Sequence, residues 1–229
     1  MVSDPSMVAA WRAATQLIVD DGDRFNLTVH IKEPTAYDEA EVRAMDPRAV
    51  DPSVKSVFDV ANTIFPRGRG HESDSPAEFS EHYGAAYERG LTRTPNAWGT
   101  YFQRLMAFGD GGKNQLLKII DCINDWKAKP RAAFGLHLSG AHLDNPRPLG
   151  APCWQYGQFI RTDDSVLSLS VMYRSHDYFQ KALGNFVGLA RLLRFVCEHT
   201  DQEPGTVTCL STYAHLGGKK AAARKLLVS

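Results

Sequence analysis

"SVLSLSVMYRSHDYFQKALGNFVGLARLLRFVCE", residues 165–198, changes its hydrophobic period part-way along. Up to Tyr173 the apolar residues alternate, as in a half-buried strand. From Tyr178 to Glu198 they recur at helical spacing, with Phe179, Leu183, Phe186, Val187, Leu189, Leu192, Leu193, Phe195 and Val196 covering most of the wheel. A helix apolar almost all round belongs in the middle of a core. The junction nonetheless carries Arg174, Ser175 and Asp177, and Asn185 lies on the helix itself. Polar groups in such places cost free energy unless protein or ligand satisfies them.

Working outward, strands are expected at "RFNLTVHI" (24–31), "RAAFGLHL" (131–138), "WQYGQFI" (154–160) and "GTVTCLSTYAHL" (205–216). Helices are expected over 6–20 with Ser6 as N-cap, over 53–64, from Pro76 at a first-turn position, and from residue 113. The last shows apolar residues at 116, 117, 119, 120, 123 and 126, one buried face. Residues 32–53 hold three prolines and read as a connector with room for a short helix, and 66–76 read as a mobile loop. The class is α+β: one domain, with a mostly contiguous C-terminal sheet packed on a long buried helix.

The 229 residues suit a single domain with a real core. Formal net charge is zero, which argues against a nucleic-acid polymer as partner, so any phosphate site must be local. No apolar run reaches the ~20 residues of a membrane span. The N-terminus lacks a basic stretch before its apolar part, so no secretory signal is expected. Cys122, Cys153, Cys197 and Cys209 are scattered without a CxxC pair, and the histidines lack metal spacing. A reduced cytoplasmic protein without a bound metal is the expectation.

Five elements occur in order: "WGTYFQRL" (98–105), the helix from 113 followed by Arg131, "APCWQYGQF" (151–159) with Gln158 five residues after Cys153, "YRSHDYFQKALGN" with Asn185 eleven residues after Arg174, and "GTVTCLSTYAHL". Together, over residues 96–216, they resemble the catalytic half of the thymidylate synthase and pyrimidine nucleotide hydroxymethylase superfamily. The wording of "VANTIFP" and "GNFVGL" resembles a divergent, short bacterial branch. Residues 1–95 would be a divergent N-terminal part, and 217–229 a short basic tail.

The resemblance implies a thymidylate-synthase-like mixed sheet, a homodimer and a one-carbon transfer to C5 of a pyrimidine nucleotide. Cys153 would be the nucleophile at C6, and a thiolate suits that addition because it is soft and partly ionised near neutrality. A buried small hydrophobe is the structural alternative for Cys153. Cys122, Cys197 and Cys209 read as sitting on apolar faces of two helices and a strand.

Arg174 and Ser175 would bind the 5′-phosphate, guanidinium being a natural bidentate partner for phosphate oxygens. Arg174 would also lower the thiol pKa. Its alternative is an ion pair inside the fold, with Asp177 or another carboxylate. Arg131 would cross to the partner subunit's phosphate, or simply lie on the surface. Asn185 would read the N3–H and O4 edge of a uracil-type base, because a carboxamide donates and accepts at once. It could equally cap a bend beside Gly184, with Gln158 satisfying neighbouring polar groups. Asp177 would touch the pterin of 5,10-methylenetetrahydrofolate and also suits a helix N-cap. His215 would bind the ribose 3′-hydroxyl, or be structural.

Departures accompany the likeness. Trp154 stands where the family has His, Trp98 where it has Tyr (with Tyr101 nearby), and Gly217 where it has a sugar-binding Tyr. The N-terminal arginine loop is replaced, if at all, by Arg67 and Arg69, and the proton-handling Glu by Asp59 or Glu72. The sequence also stops at Ser229, soon after His215. In the family further strands and a closing tail follow, so folate use is doubtful and a folate-independent nucleotide-binding protein is the alternative.

Overall fold

The segment 165–198 becomes a strand, a break and a helix, and the rest of the chain assembles around it. The computed structural model describes residues 1–67, 75–90 (backbone alone at 84–90), 98–109, 112–126, 133–141, 143–144 and 150–228. In chain order the elements are β1 (Val2–Asp4), α1 (Met7–Asp21), β2 (Arg24–Ile31), α2 (Glu39–Ala44), a 3-10 turn (Pro47–Ala49), α3 (Val57–Ala61), α4 (Pro76–Gly90), α5 (Tyr101–Met106), α6 (Gln115–Asp125), β3 (Ala133–His137), β4 (Trp154–Arg161), β5 (Val166–Tyr173), β6 (His176–Asp177), α7 (Ala182–Glu198), β7 (Glu203–His215) and α8 (Lys220–Leu227).

The strands form one mixed sheet in the order β1-β2-β7-β5-β4-β3, with β6 also paired to β7. β5 and β7 run parallel, joined through α7, and the other long neighbours are antiparallel. Val29, Ile31, Leu136, Phe159, Leu169, Val171, Val207 and Cys209 point to one face and are buried. That face meets α1 and α7, as alternation in the strands and the wrap-around apolar pattern of α7 require. The other face carries Tyr156, Gln158, Ile160, Met172 and Leu210, all half-buried or exposed. A single core cluster runs from Met7 to Leu227. The architecture is thus α+β and mixed-sheet, and the sheet also takes in the N-terminal β1 and β2.

Several boundaries move, each for a local reason. α7 starts at Ala182 rather than Tyr178, because 176–177 pair with β7 and 178–181 turn. Asp177 therefore caps no helix. Its Oδ1 accepts the N–H groups of Phe179 (3.0 Å) and Gln180 (2.9 Å) within that turn. α3 is only Val57–Ala61, opened by Ser56 as N-cap. It presses on α7 at Gly184, where a Cβ would lie 2.6 Å from the Val57 carbonyl oxygen and from Val60 Cβ. α1 matches expectation, with Ser6 Oγ accepting from Ala9 N at 3.2 Å. The basic tail contains a docked helix, α8, whose Ala223, Leu226 and Leu227 are buried. Cys122 is exposed on α6, not on its apolar face, because Leu116, Ile119, Ile120 and Ile123 take the buried side.

Candidate active site

β5 and β6 lie along the same side of β7, Tyr173 opposite Ser211 and His176 opposite Ala214. Arg174 and Ser175 are the two residues of the gap between them. Breaking a strand frees backbone groups that need partners. Thr212 Oγ1 supplies them, donating to the carbonyls of Tyr173 (3.2 Å) and Arg174 (2.8 Å). The interruption takes Arg174 and Ser175 out of the alternating pattern of the sheet and leaves both half-buried.

Cys153 stands at this gap. Its carbonyl accepts from Arg174 N at 2.8 Å. The Arg174 guanidinium donates to the carbonyls of Pro152 (3.2 Å) and Ala151 (3.3 Å), holding the approach to the cysteine. Tyr101 Oη accepts the N–H groups of Cys153 and Trp154, both at 3.3 Å, so Tyr101, not Trp98, fills the position beside the thiol. Burial, and the neighbouring Cys153, push the Tyr101 hydroxyl up in pKa.

Burial raises the Cys153 pKa above the usual thiol value. Arg174 and Lys181 pull against that rise, and Asp177 adds to it. The expected lowering by Arg174 is therefore present, but burial outweighs it. Cys197 and Cys209 are buried and pushed up to about 12.

Ser175 Oγ lies 3.0 Å from His215 Nε2. His215 Nδ1 accepts from Gly217 N at 2.9 Å, so a neutral ring carries its proton on Nε2 and donates it to Ser175. The serine hydroxyl hydrogen is then free to point outward. Gly217 holds a left-handed φ of 55°, and a Cβ there would sit 2.5 Å from Asp177 Oδ2. A tyrosine at 217 does not fit this backbone, so the departure follows from the turn.

Asn185, 4% exposed, puts Nδ2 3.0 Å from His176 Nε2. His176 continues to Ser211 Oγ (3.0 Å), which meets the Tyr178 hydroxyl (3.1 Å). A buried carboxamide on an apolar helix is thus partly answered by protein.

Two residues went unnoticed in the sequence. His176 lies between Ser175 and Asp177 in "YRSHDYF", and only its contacts give it weight. Lys181 could have been found as a lone cation entering an apolar helix. It is half-buried, and no carboxylate lies within ion-pair distance of it among the described residues. Burial lowers its pKa, with Lys55 adding to that and Asp177 and Cys153 opposing it.

The gap thus brings together Cys153, Arg174, Ser175, Asp177 and His215, with Asn185 behind them. Gln158 is not among them. It faces Ser170 and Gly135 mid-sheet on the outer side, about 15 Å along β4 from Cys153. Arg67 pairs with Glu39, and Asp59 Oδ2 accepts from the hydroxyl of Ser56, the N-cap of α3, so both side chains are engaged elsewhere. Arg131, Arg69 and Glu72 lie outside the described residues. Among the described residues no three His, Cys, Asp or Glu side chains stand where they could hold a metal ion, and no helix is long and apolar enough to cross a membrane.

No family model matches the chain. Among curated proteins it is similar to several that bear the name "Putative thymidylate synthase", three of which follow. The protein from Methanosarcina mazei is 37% identical over 117 residues, 51% of this chain and 52% of the relative. That from Methanococcoides burtonii is 31% identical over 117 residues with the same coverage. That from Methanosarcina barkeri is 34% identical over 65 residues, 28% of this chain and 30% of the relative. The match spans about half the length of the first two. All three sources are archaeal, so they lend nothing to a bacterial branch. Over about half of its length, the chain is similar to proteins named putative thymidylate synthase.

Proposed function

We propose that the chain binds a pyrimidine nucleotide, uracil-type in its base, and activates C5 by covalent addition of Cys153 at C6. The observation that carries this is the strand break. One gap gathers a thiol, a guanidinium that bonds the residues leading to it, and a serine whose hydrogen is left to donate. Sulfur addition at C6 places negative charge on C5 and O4. Asn185, at the base edge, would stabilise the O4 charge, and Arg174 and Ser175 would hold the phosphate. The C5 carbanion then adds to the carbon of a formaldehyde-level donor, whose C=O bond opens to an alkoxide that takes a proton, so that the transferred group is hydroxymethyl. Loss of the C5 proton and expulsion of the thiolate restore the ring.

The resemblance assigns Asp177 to the pterin of a folate, which would have to share its carboxylate with bonds made inside the chain. Asp177, assigned to the pterin, already accepts from Phe179 N and Gln180 N, and its Oδ2 accepts from Gln180 Nε2 at 2.9 Å. The Lys181 ammonium stands close enough to Asp177 to feel its charge.

Intact-protein mass spectrometry with 5-fluoro-dUMP tests the proposal. The expected result is a stable adduct of one nucleotide per chain, lost in Cys153→Ser. The raised thiol pKa favours a second reading, reversible nucleotide binding without chemistry. In that case no adduct forms, while dUMP still raises the melting temperature of both wild type and Cys153→Ser.

A homodimer through the outer sheet face is the partner arrangement that accompanies this reading, with Tyr156, Ile160, Met172 and Leu210 in the contact. Sedimentation at micromolar concentration should give twice the monomer mass of 25.4 kDa. A monomer would remove the role given to Arg131.

A further inference from the structure

His176 is enclosed on every side. Tyr173 lies flat on its ring, centroids 4.2 Å apart and planes 7° from parallel, and Phe186 meets it edge-on at 5.9 Å. The ring therefore cannot rotate without displacing core side chains. Burial, with His215 adding to the effect, lowers its pKa to about 3, so it is neutral and holds one proton. Nδ1 faces Ser211 Oγ at 3.0 Å and Cys209 Sγ at 3.8 Å, and Nε2 faces Asn185 Nδ2 at 3.0 Å. An amide nitrogen only donates. Nε2 must then accept, and the proton sits on Nδ1, donated to Ser211.

We propose, resting on the pyrimidine-nucleotide reading above, that His176 is the positioning residue that sets base choice, by locking the Asn185 carboxamide in one orientation. One Nδ2 hydrogen is committed to His176. The other Nδ2 hydrogen and Oδ1 then face the base in a fixed order. A uracil edge offers a donor at N3 and an acceptor at O4, and cytosine offers the reverse. A carboxamide free to turn over could serve both, whereas a locked one serves the uracil order and rejects cytosine by leaving polar atoms opposed. The opposite His176 tautomer would hold the opposite order, so the Nδ1 bond to Ser211 sets the amide at second hand.

The test compares dUMP and dCMP affinities by calorimetry in wild type, His176→Phe and Ser211→Ala. Phenylalanine keeps the stacking on Tyr173 and removes both ring nitrogens. Alanine at 211 is milder and removes only the acceptor that fixes the tautomer. The expected result is a wild-type preference for dUMP that falls about 10-fold or more in His176→Phe and by less in Ser211→Ala. Nitrogen-15 spectra of the wild-type ring should show the proton on Nδ1 from pH 5 to 9. An unchanged dUMP/dCMP ratio in either folded variant, a wild-type preference for dCMP, or a proton on Nε2 overturns the inference alone. Absence of binding by both nucleotides to folded wild type overturns the nucleotide reading and this inference with it.

Discussion

Arg104→Met lowers the stability of the fold by about 3–5 kcal/mol, read as a shift of the urea midpoint at constant slope. Arg104, on α5, is 8% exposed, and all its nitrogens are engaged. Nη1 and Nη2 grip Asp144 Oδ2 and Oδ1 at 2.7 and 2.8 Å, Nη1 also donates to the Leu138 carbonyl at 2.8 Å, and Nε to the Trp98 carbonyl at 3.2 Å. Methionine fills much of the volume but leaves Asp144 a nearly buried carboxylate without its cation. Removing one partner of such a pair is costly, whereas removing both is often near neutral. The double variant Arg104→Met/Asp144→Leu should therefore lose less than the single one. A double variant that loses the sum of two large single effects would defeat this account.

The same pair gives a pH dependence. Burial raises the Asp144 pKa, but the Arg104 hydrogen bonds, the Gly140 N–H and the Arg104 charge overcome it and leave the carboxyl below its usual value. A carboxyl depressed in the folded state stabilises fully above its unfolded value, about 3.9, and loses that contribution as pH falls through the folded value. The midpoint should thus drop more steeply in acid for wild type than for the double variant. The pair also bears on the site, since Arg104 holds the Trp98 carbonyl just before α5, and α5 presents Tyr101 to Cys153.

The alternation of 165–173 and the wrap-around pattern of α7 could be read from the sequence because burial imposes a period on apolar residues. The gathering of Cys153, Arg174, Ser175, Asp177 and His215 was named there only through a resemblance, since residues far apart in the chain carry no mutual period. The strand break could not be read. "YRSHDYFQ" has a helix-like apolar tail, and what makes His176–Asp177 a strand is β7, distant in the chain, whose Ala214 and His215 pair with them. Tertiary pairing overrides local propensity there. His176 stayed hidden for a related reason: a histidine's worth lies in which atom each nitrogen meets. Gln158 lies farther along β4, opposite Gly135 and Ser170, because strand spacing carries residues away from the loop that precedes the strand.

Arg174→Gln moves the reactivity of Cys153 to higher pH and weakens dUMP by about 10- to 100-fold. The second figure follows from losing a charged hydrogen-bond donor to phosphate, about 1.5–3 kcal/mol. The first follows from the charges around the sulfur. Burial holds the thiol protonated, Arg174 and Lys181 oppose it, and Asp177 reinforces it. Thiolate, not thiol, is the nucleophile, so each unit of rise removes about ten-fold of rate near neutrality. Arg174→Gln and Lys181→Met should both slow alkylation of Cys153 by iodoacetamide at pH 7.5, and Asp177→Asn should hasten it. Exposed Cys122 serves as the internal standard in the same digest, and buried Cys197 and Cys209 should stay unlabelled in all four proteins. Equal Cys153/Cys122 ratios across the set would mean that these charges do not act on the sulfur. The chemistry assigned to the strand break would then lose its electrostatic basis, whatever the nucleotide does. An opposite response of Arg174→Gln alone would mean that its bonds to Ala151 and Pro152 shield the thiol more than its charge activates it. The sign of that one variant therefore decides whether the arginine's first duty in the free protein is electrostatic or architectural.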